Sequence, residues 1–213
     1  MEQKIIVISC MHGRHSTVKY CLEKMPFIDV VMIYSNDEDG EFLDQFENVM
    51  AKAKVKNKPL SHKWNTAIKC LAQVDFDAVI LLGSDDYIDE AFLEFASKNI
   101  KGFDMIGFHD AYYESEQGDY YWRGYDNHRK GEPVGAGKVY SRKFLESIGY
   151  NLFPEHRDIG LDGISWRVVK RSNAKVKIFS LKEEGIKLYD VKDGLGMNSM
   201  DKLIRTLKGF ERI

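Results

Sequence analysis

The feature that most constrains this chain is a short apolar run that ends in two carboxylates. Residues 78–82 are all apolar and are followed by Gly83, Ser84, Asp85 and Asp86. The run is too short for a helix core and is rich in branched side chains, which predicts a strand buried on both faces. Because open α/β sheets bind their ligands at the carboxyl ends of the strands, the pair of aspartates predicts a metal or phosphate site.

A competing interpretation is that one of these carboxylates caps the next helix. Asp89 qualifies for the same role, since aspartate is a favoured N-cap residue. Capping accounts for one aspartate easily and for an adjacent pair poorly. We therefore favour the metal or phosphate site.

Composition indicates one ordinary globular domain covering residues 1–213, with 44% hydrophobic and 30% charged residues. The formal net charge of −2 gives no global basic field of the kind that attracts nucleic acid or an anionic membrane. The three cysteines form no Cys-x-x-Cys pair, which favours a reducing compartment. The N-terminus does not resemble a signal peptide, and no stretch has the length of a membrane span. We expect a soluble, cytoplasmic protein.

Strand and helix patterns alternate over the first hundred residues. Buried strands are predicted at 4–10, 30–34 and 78–82, with helices from about 41 to 50 and from about 62 to 73 among the connections. This alternation predicts a doubly wound, parallel sheet.

The pattern changes after residue 100. Strands are predicted at 104–109 and 175–180, and helices at 141–148, 159–171 and 199–208. Residues 111–132 are rich in tyrosine and tryptophan without a helical period, which predicts a hairpin or a long loop.

Four polar clusters follow predicted strands or begin predicted helices. They lie at residues 12–14, 35–39, 63–65 and 83–86. Because such clusters converge on one edge of a parallel sheet, they fit a nucleotide with a phosphate chain and a bridging cation. Mg²⁺ commonly takes one or two protein carboxylates and completes its shell with phosphate oxygens and water.

The order of these elements, over about residues 4–171, resembles a glycosyltransferase of the GT-A fold and the family-2 type. The resemblance implies an α/β, Rossmann-like, mostly parallel sheet flanked by helices, with a smaller mixed region on the acceptor side. It also implies a nucleotide-sugar half at 1–100, an acceptor and catalytic half at 101–180, and a C-terminal extension at 181–213. The expected donor is a nucleoside-diphosphate sugar, such as a UDP-sugar, bound with Mn²⁺ or Mg²⁺.

The segment LLGSDDYI stands where the family has its Asp-x-Asp motif, so the resemblance makes Asp85 and Asp86 the metal ligands. Asp37 resembles the residue that holds the nucleoside, Arg14 the arginine after the first strand, and Asn65 the asparagine before the motif strand. The full set of donor-binding residues that we predict is Ser9, Arg14, Asp37, Lys63, Asn65, Ser84 and Asp85.

GLDGISWRVVK resembles the segment that carries the family's catalytic base, which corresponds to Asp162. The implied mechanism is inversion, with Asp162 taking the proton of an acceptor hydroxyl. Asp158 is a rival base, and Asp162 is also explained as a helix-start carboxylate. The predicted acceptor-binding residues are Tyr121, Trp122, Gly135, Ala136, Gly137 and Arg167. The aromatic residues are equally consistent with a core beneath a loop.

Two departures from the family pattern stand out. Gly83 occupies the place of the first aspartate of Asp-x-Asp, and no histidine follows His156 to act as a further metal ligand. Asp190 or Asp193 are candidate substitutes. The acceptor is open between a cell-envelope glycan and a hydroxymethylated base of phage DNA, since small bacteriophage glycosyltransferases are similar.

Three other functions are considered. Cys10, His12 and His15 suggest a zinc site, but a fourth ligand and a standard spacing are lacking. A sugar-nucleotide pyrophosphorylase would need a Gly-rich basic loop after the first strand, where this chain has one glycine. A non-catalytic nucleotide- or sugar-binding module is the remaining alternative, supported by Gly83.

Overall fold

The computed structural model describes residues 3–194 and 199–213. Its strands are β1 Ile5–Cys10, β2 Val30–Tyr34, β3 Val49–Lys54, β4 Ala78–Leu81, β5 Asp86–Ile88, β6 Met105–Phe108, β7 Ala111–Ser115, β8 Tyr120–Trp122, β9 Lys138–Ser141, β10 Val176–Phe179, β11 Leu188–Lys192 and β12 Phe210–Arg212. Its α-helices are α1 His15–Glu23, α2 Asp37–Leu43, α3 Leu60–Cys70, α4 Glu90–Asn99, α5 Arg142–Ser147, α6 Leu161–Arg171, α7 Leu181–Glu184 and α8 Met200–Thr206.

The main sheet contains seven strands among the described residues, in the order β10-β6-β9-β4-β1-β2-β3. Its neighbouring strands are parallel except for β9, which runs antiparallel to both β4 and β6. The predicted fold class is therefore confirmed: a mostly parallel α/β sheet flanked by helices.

Both faces of this sheet are covered, and its strands β1 and β4 carry apolar side chains on both faces. On β1, Ile5 and Val7 belong to one core cluster, while Ile6 and Ile8 belong to the other. Residues of α1 and α4 fill the first cluster, and residues of α3, α5 and α6 fill the second. This arrangement is the reason that the strands appear as continuous apolar runs.

A second sheet, in the order β12-β8-β7-β11-β5, contains the smaller mixed region. The aromatic segment forms the predicted hairpin, with β7 and β8 antiparallel. Strand β11 lies between β7 and β5 and places Asp190 directly opposite Asp86 in the antiparallel ladder. The C-terminal extension therefore completes a sheet that begins immediately after the motif strand.

The predicted helix at 41–50 is wrong, because α2 begins at Asp37 and ends at Leu43. The polar segment before it was expected to be a loop, yet Asn36 caps the helix by accepting a hydrogen bond from the amide of Asp39 at 2.8 Å. Three acidic residues in the first turn favour the helix by interacting with its dipole. The strands β5, β11 and β12 were not predicted, since they are short or polar.

Among the described residues, no helix is long and apolar enough to cross a bilayer. The division of the chain at residues 100 and 180 stays a prediction. Strands from the segment 101–180 complete the main sheet, with β9 inserted between β4 and β6.

Candidate active site

Three carboxylates meet beyond the carboxyl end of β4. Each of Asp85, Asp86 and Asp190 offers an oxygen, and these oxygens all lie within 4.8 Å of one another. Asp86 is 5% exposed, whereas the side chain of Asp85 is 26% exposed and reaches the surface. The cluster combines the predicted pair with one of the two candidate substitutes for the missing ligand.

Gly83 shapes the turn that holds this cluster. Its amide donates a hydrogen bond to Oδ2 of Asp86 at 2.5 Å. A Cβ atom at position 83 would lie 2.7 Å from Oδ1 of Asp85 and 3.0 Å from Oδ2 of Asp86. The space that a side chain would need at this position is occupied by the two carboxylates. The capping alternative fails here, because Asp89 caps α4.

The electrostatics of the cluster are those of crowded, buried acids. Burial, together with the charges of Asp190 and Asp85, raises the pKa of Asp86 well above its usual value. Burial also raises the pKa of Asp190, to about 7, with Asp85 adding to the shift and Lys192 opposing it. Lys192 lies 2.5 Å from Oδ1 of Asp190.

A second cation, Arg14, approaches the cluster from the turn before α1. Its guanidinium contacts Oδ2 of Asp85 at 2.9 Å and Oδ2 of Asp193 at 2.8 Å. The hydroxyl of Thr17 donates to the same oxygen of Asp193 at 2.5 Å. Burial opposes the charge on Arg14, but both aspartates raise its pKa above the usual value.

The donor set suits a hard divalent cation. Carboxylate oxygens are the ligands that Mg²⁺ and Mn²⁺ prefer. Burial is the main cause of the raised pKa values of Asp86 and Asp190, and the negative charge of neighbouring carboxylates adds to the shift. Asp85, Asp86 and Asp190 are therefore the residues that could hold such an ion.

The cluster forms one wall of a cavity of about 720 Å³. Asp162, the predicted base, lines the same cavity, as do the aromatic side chains of Tyr113, Trp122 and Tyr125. Leu203 and Leu207 of the C-terminal segment line it as well. The predicted metal ligands and the predicted base, which are far apart in sequence, thus line one cavity.

Asp162 lies in the first turn of α6, where it packs over the backbone of the turn before β9. A Cβ atom at Gly135 would collide with the Asp162 carboxylate. Beneath this turn, Nζ of the buried Lys138 donates to the carbonyl oxygen of Asp162 at 3.3 Å and to Oγ of Ser165 at 3.1 Å. The rival base, Asp158, also lines the cavity and accepts a hydrogen bond from the amide of Leu60 at 2.8 Å.

The structure brings Trp122, Gly135 and Ala136 of the predicted acceptor set into this cavity. The other members lie outside its lining. The hydroxyl of Tyr121 donates to buried Asp110, and Arg167 pairs with Glu155 at 2.7 Å on the surface. At Gly137 a positive φ of 72° places the backbone against Leu188.

Among the predicted donor-binding residues, Arg14 and Asp85 lie at the carboxylate cluster, but Lys63 and Asn65 do not line the cavity. Lys63 is buried and donates to the carbonyl of Met11 and to the hydroxyl of Ser35. Asn65 binds the backbone of Phe153 through both ends of its amide.

The remaining members of that set occupy different environments. Asp37 has a side chain that is 82% exposed and pairs with Lys54. Ser84 lies in the turn after β4, beside the carboxylate pair. Ser9 is buried on β1, and its hydroxyl has no hydrogen-bond partner among the described residues. These assignments to donor binding stay predictions.

Sequence reasoning overlooked Asp39, which is 1% exposed. Its Oδ1 accepts hydrogen bonds from the Gly13 amide at 3.0 Å and pairs with Nε2 of His15 at 2.9 Å. Its Oδ2 has no hydrogen-bond partner among the described residues, although Nδ1 of His12 lies 3.8 Å away. The helical period of α2 would have indicated it, since Gly40 and Leu43 are also buried there.

Solved structures with the same fold include those of S. aureus TarS. The crystal structure of TarS 1–349 matches with a TM-score of 0.64 and 16% identity, covering 88% of this chain and 60% of that one. Its complex with UDP-GlcNAc matches with a TM-score of 0.62 and 17% identity, covering 89% of this chain. Its complex with UDP matches with a TM-score of 0.59 and 16% identity, covering 88% of this chain. The protein has a GT-A fold.

The likeness extends over part of those structures only, since this chain spans 58% of TarS 1–349 in the UDP-GlcNAc complex and 60% of it in the UDP complex. No protein-family model matches the chain, and no curated protein matches it either. The structure does not support the zinc alternative. The thiol of Cys10 lies on a buried strand, and burial raises its pKa far above the usual value, which disfavours the thiolate that zinc binds.

Proposed function

We propose that the protein is a metal-dependent, inverting glycosyltransferase that uses a nucleoside-diphosphate sugar. The observation that carries the proposal is the shared cavity, in which Asp162 lies across from the cluster of Asp85, Asp86 and Asp190. Transfer needs a site for the charged leaving group and a base for the acceptor hydroxyl, within reach of one sugar. The fold shared with TarS, which was crystallised with UDP-GlcNAc and UDP, supports a UDP-sugar donor.

We assign the nucleoside to the turn between β1 and α1, beside Asp39. Oδ2 of Asp39 is a buried acceptor without a hydrogen-bond partner among the described residues. A buried acceptor of this kind is stabilised by a donor supplied by a ligand. The imide N–H of a uracil is such a donor, and this favours UDP over nucleotides whose bases present a different edge.

The leaving diphosphate would lie between this turn and the carboxylate cluster. When bound, a divalent cation neutralises charge on the departing diphosphate. Arg14 and Lys192 border the cluster and supply fixed positive charge at its edge. Asp162 accepts the proton of the acceptor hydroxyl as that oxygen attacks the anomeric carbon, a role that contributes about 10²–10⁴-fold in rate.

The first test is binding of a panel of nucleoside diphosphates and nucleotide sugars, measured by calorimetry with and without Mn²⁺ or Mg²⁺. We expect UDP and UDP-sugars to bind in a cation-dependent manner, and we expect the UDP-sugars to be hydrolysed slowly when water replaces the acceptor. Asp162→Asn should bind the donor as the parent does while losing turnover by about 10²-fold or more.

Each result has a definite meaning. Equal turnover in Asp162→Asn and the parent would exclude Asp162 as the base and direct the test to Asp158. Binding without turnover for any donor or acceptor would favour the non-catalytic binding module. Offering an envelope glycan and hydroxymethylated DNA as acceptors to the same enzyme distinguishes the two remaining acceptor classes.

A further inference from the structure

Lys138 is a buried lysine on an otherwise apolar part of the main sheet. It is 1% exposed, lies opposite Leu81 in the β4–β9 ladder, and shares its face of the strand with buried Tyr140. Among the described residues no carboxylate lies within 4.0 Å of its ammonium group. Burying a charge without a partner is costly, so a methionine would fill this place at lower cost.

Both side-chain hydrogen bonds of Lys138 go to the N-terminal part of α6. Its ammonium group donates to the Asp162 carbonyl and to the Ser165 hydroxyl, and that hydroxyl donates to the same carbonyl at 3.0 Å. The two hydrogen bonds from Lys138 tie the start of α6 to the sheet, and the third lies within α6 itself. The N-cap residue of α6 is Gly160, which has no side chain that could hold the start of the helix.

We propose that Lys138 is a positioning residue, which fixes the backbone of Asp162 so that its carboxylate faces the cavity over Gly135. The inference rests on the proposed function, since it takes Asp162 as the base. A general base acts only within hydrogen-bond reach of the proton that it removes, and small misplacements are costly in rate. Lys138 acts here through the backbone of Asp162 and takes no proton itself.

The geometry explains why a lysine is used. Its flexible stem crosses the apolar layer between β9 and α6, and its head carries three donors. Two of them bind Asp162 and Ser165, and the third has no protein acceptor among the described residues. Burial lowers the pKa of Lys138, while the nearby charge of Asp162 opposes that shift.

The test compares Lys138→Met, Lys138→Arg and Ser165→Ala with the parent, and the control is Lys143→Met at an exposed position of α5. Hydrogen exchange of a peptide covering residues 158–168 reports the position of the helix start without requiring activity. We expect exchange there to accelerate at least tenfold in Lys138→Met and less in Ser165→Ala, with peptides from β1 and α1 unchanged. Lys143→Met should behave as the parent.

Kinetics of UDP-sugar hydrolysis provide the second readout. The expected result for Lys138→Met is a kcat lowered about 10–100-fold with KM for the donor changed less than twofold, and partial recovery in Lys138→Arg. Unchanged exchange at 158–168, in Lys138→Met or, if that variant does not fold, in Ser165→Ala, would overturn the inference. So would an equal rise in exchange throughout the chain. Absence of donor binding by the parent would instead contradict the proposed function alone, since the exchange result stands without it.

Discussion

At the scale of single residues, Gly83 leaves room for two carboxylates just beyond β4. The glycine stands where the resembling family has an aspartate, and the carboxylates of Asp85 and Asp86 occupy the space that its side chain would need. Asp190 enters from β11 and supplies the third carboxylate from the opposite strand. On the proposed function, the ligands of the cation therefore come from two distant parts of the chain.

This arrangement predicts that restoring the aspartate is harmful. We expect Gly83→Asp to weaken Mn²⁺ binding at least tenfold, because a Cβ 2.7 Å from Oδ1 of Asp85 must displace that side chain. Calorimetric titration with Mn²⁺ measures the effect, and Asp190→Asn gives the matched loss of one ligand. Tighter Mn²⁺ binding in the Gly83→Asp, Asp190→Asn double variant than in Asp190→Asn would contradict the steric argument.

Asp39 gives a prediction for pH dependence. Burial alone would raise its pKa, but hydrogen bonds from His15 and the Gly13 amide outweigh burial and lower it. A carboxyl whose pKa is lower in the folded state stabilises the protein above its unfolded pKa of about 3.9, and this contribution is lost as the pH falls toward the folded pKa. We therefore expect Asp39→Asn to cost about 1–3 kcal/mol in the free energy of unfolding at pH 6 and progressively less toward pH 3.

Urea denaturation of the ligand-free protein at several pH values measures this difference. Asp37→Asn is the control two residues away, since that side chain is 82% exposed and should change stability by less than about 0.5 kcal/mol. A cost for Asp39→Asn that stays constant from pH 6 to pH 3 would show that its charge is not what stabilises the turn.

At the scale of elements, the strands that could be predicted from the sequence are those with a strong apolar pattern. The strands β1, β2 and β4 were predicted correctly because burial on two faces leaves a strong signal. The aromatic segment was predicted as a hairpin or a long loop, and the structure contains the hairpin. Strand β11 was not, because it reads LYDVK and takes its place only through pairing with β5 and β7. The sequence could therefore not decide between Asp190 and Asp193 as the further metal ligand.

The helix α2 failed for a different reason. A run of polar residues at 35–39 looks like a loop, yet an asparagine cap and an acidic first turn are also helix-start signals. Reading them as such would have moved attention from exposed Asp37 to buried Asp39. Side-chain direction, which depends on where the helix begins, decides which carboxylate is buried.

At the scale of the whole molecule, the cavity concentrates negative charge in a chain whose formal net charge is only −2. Asp85, Asp86 and Asp190 lie within 4.8 Å of one another at the junction of the two sheets. Such a cluster destabilises the ligand-free fold, because like charges in a poorly solvated place raise one another's free energy. On the proposed function, a bound divalent cation would offset this cost, so that cation binding and stability would be coupled.

Asp86→Asn tests this coupling, because asparagine can still accept the hydrogen bond from the Gly83 amide while it removes one charge. At pH 8 without metal we expect its melting temperature to exceed that of the parent by about 3–6 °C, since one pKa unit is worth about 1.4 kcal/mol.

Mn²⁺ should raise the melting temperature of the parent, chelation with EDTA should reverse the rise, and the variant should respond weakly. A variant that is less stable than the parent without metal, yet equally stabilised by Mn²⁺, would show that the buried carboxylates are neither repulsive nor the site of the cation. On the proposed function, the carboxylates that destabilise the ligand-free protein are the same groups that would bind the cation at the junction of the two sheets.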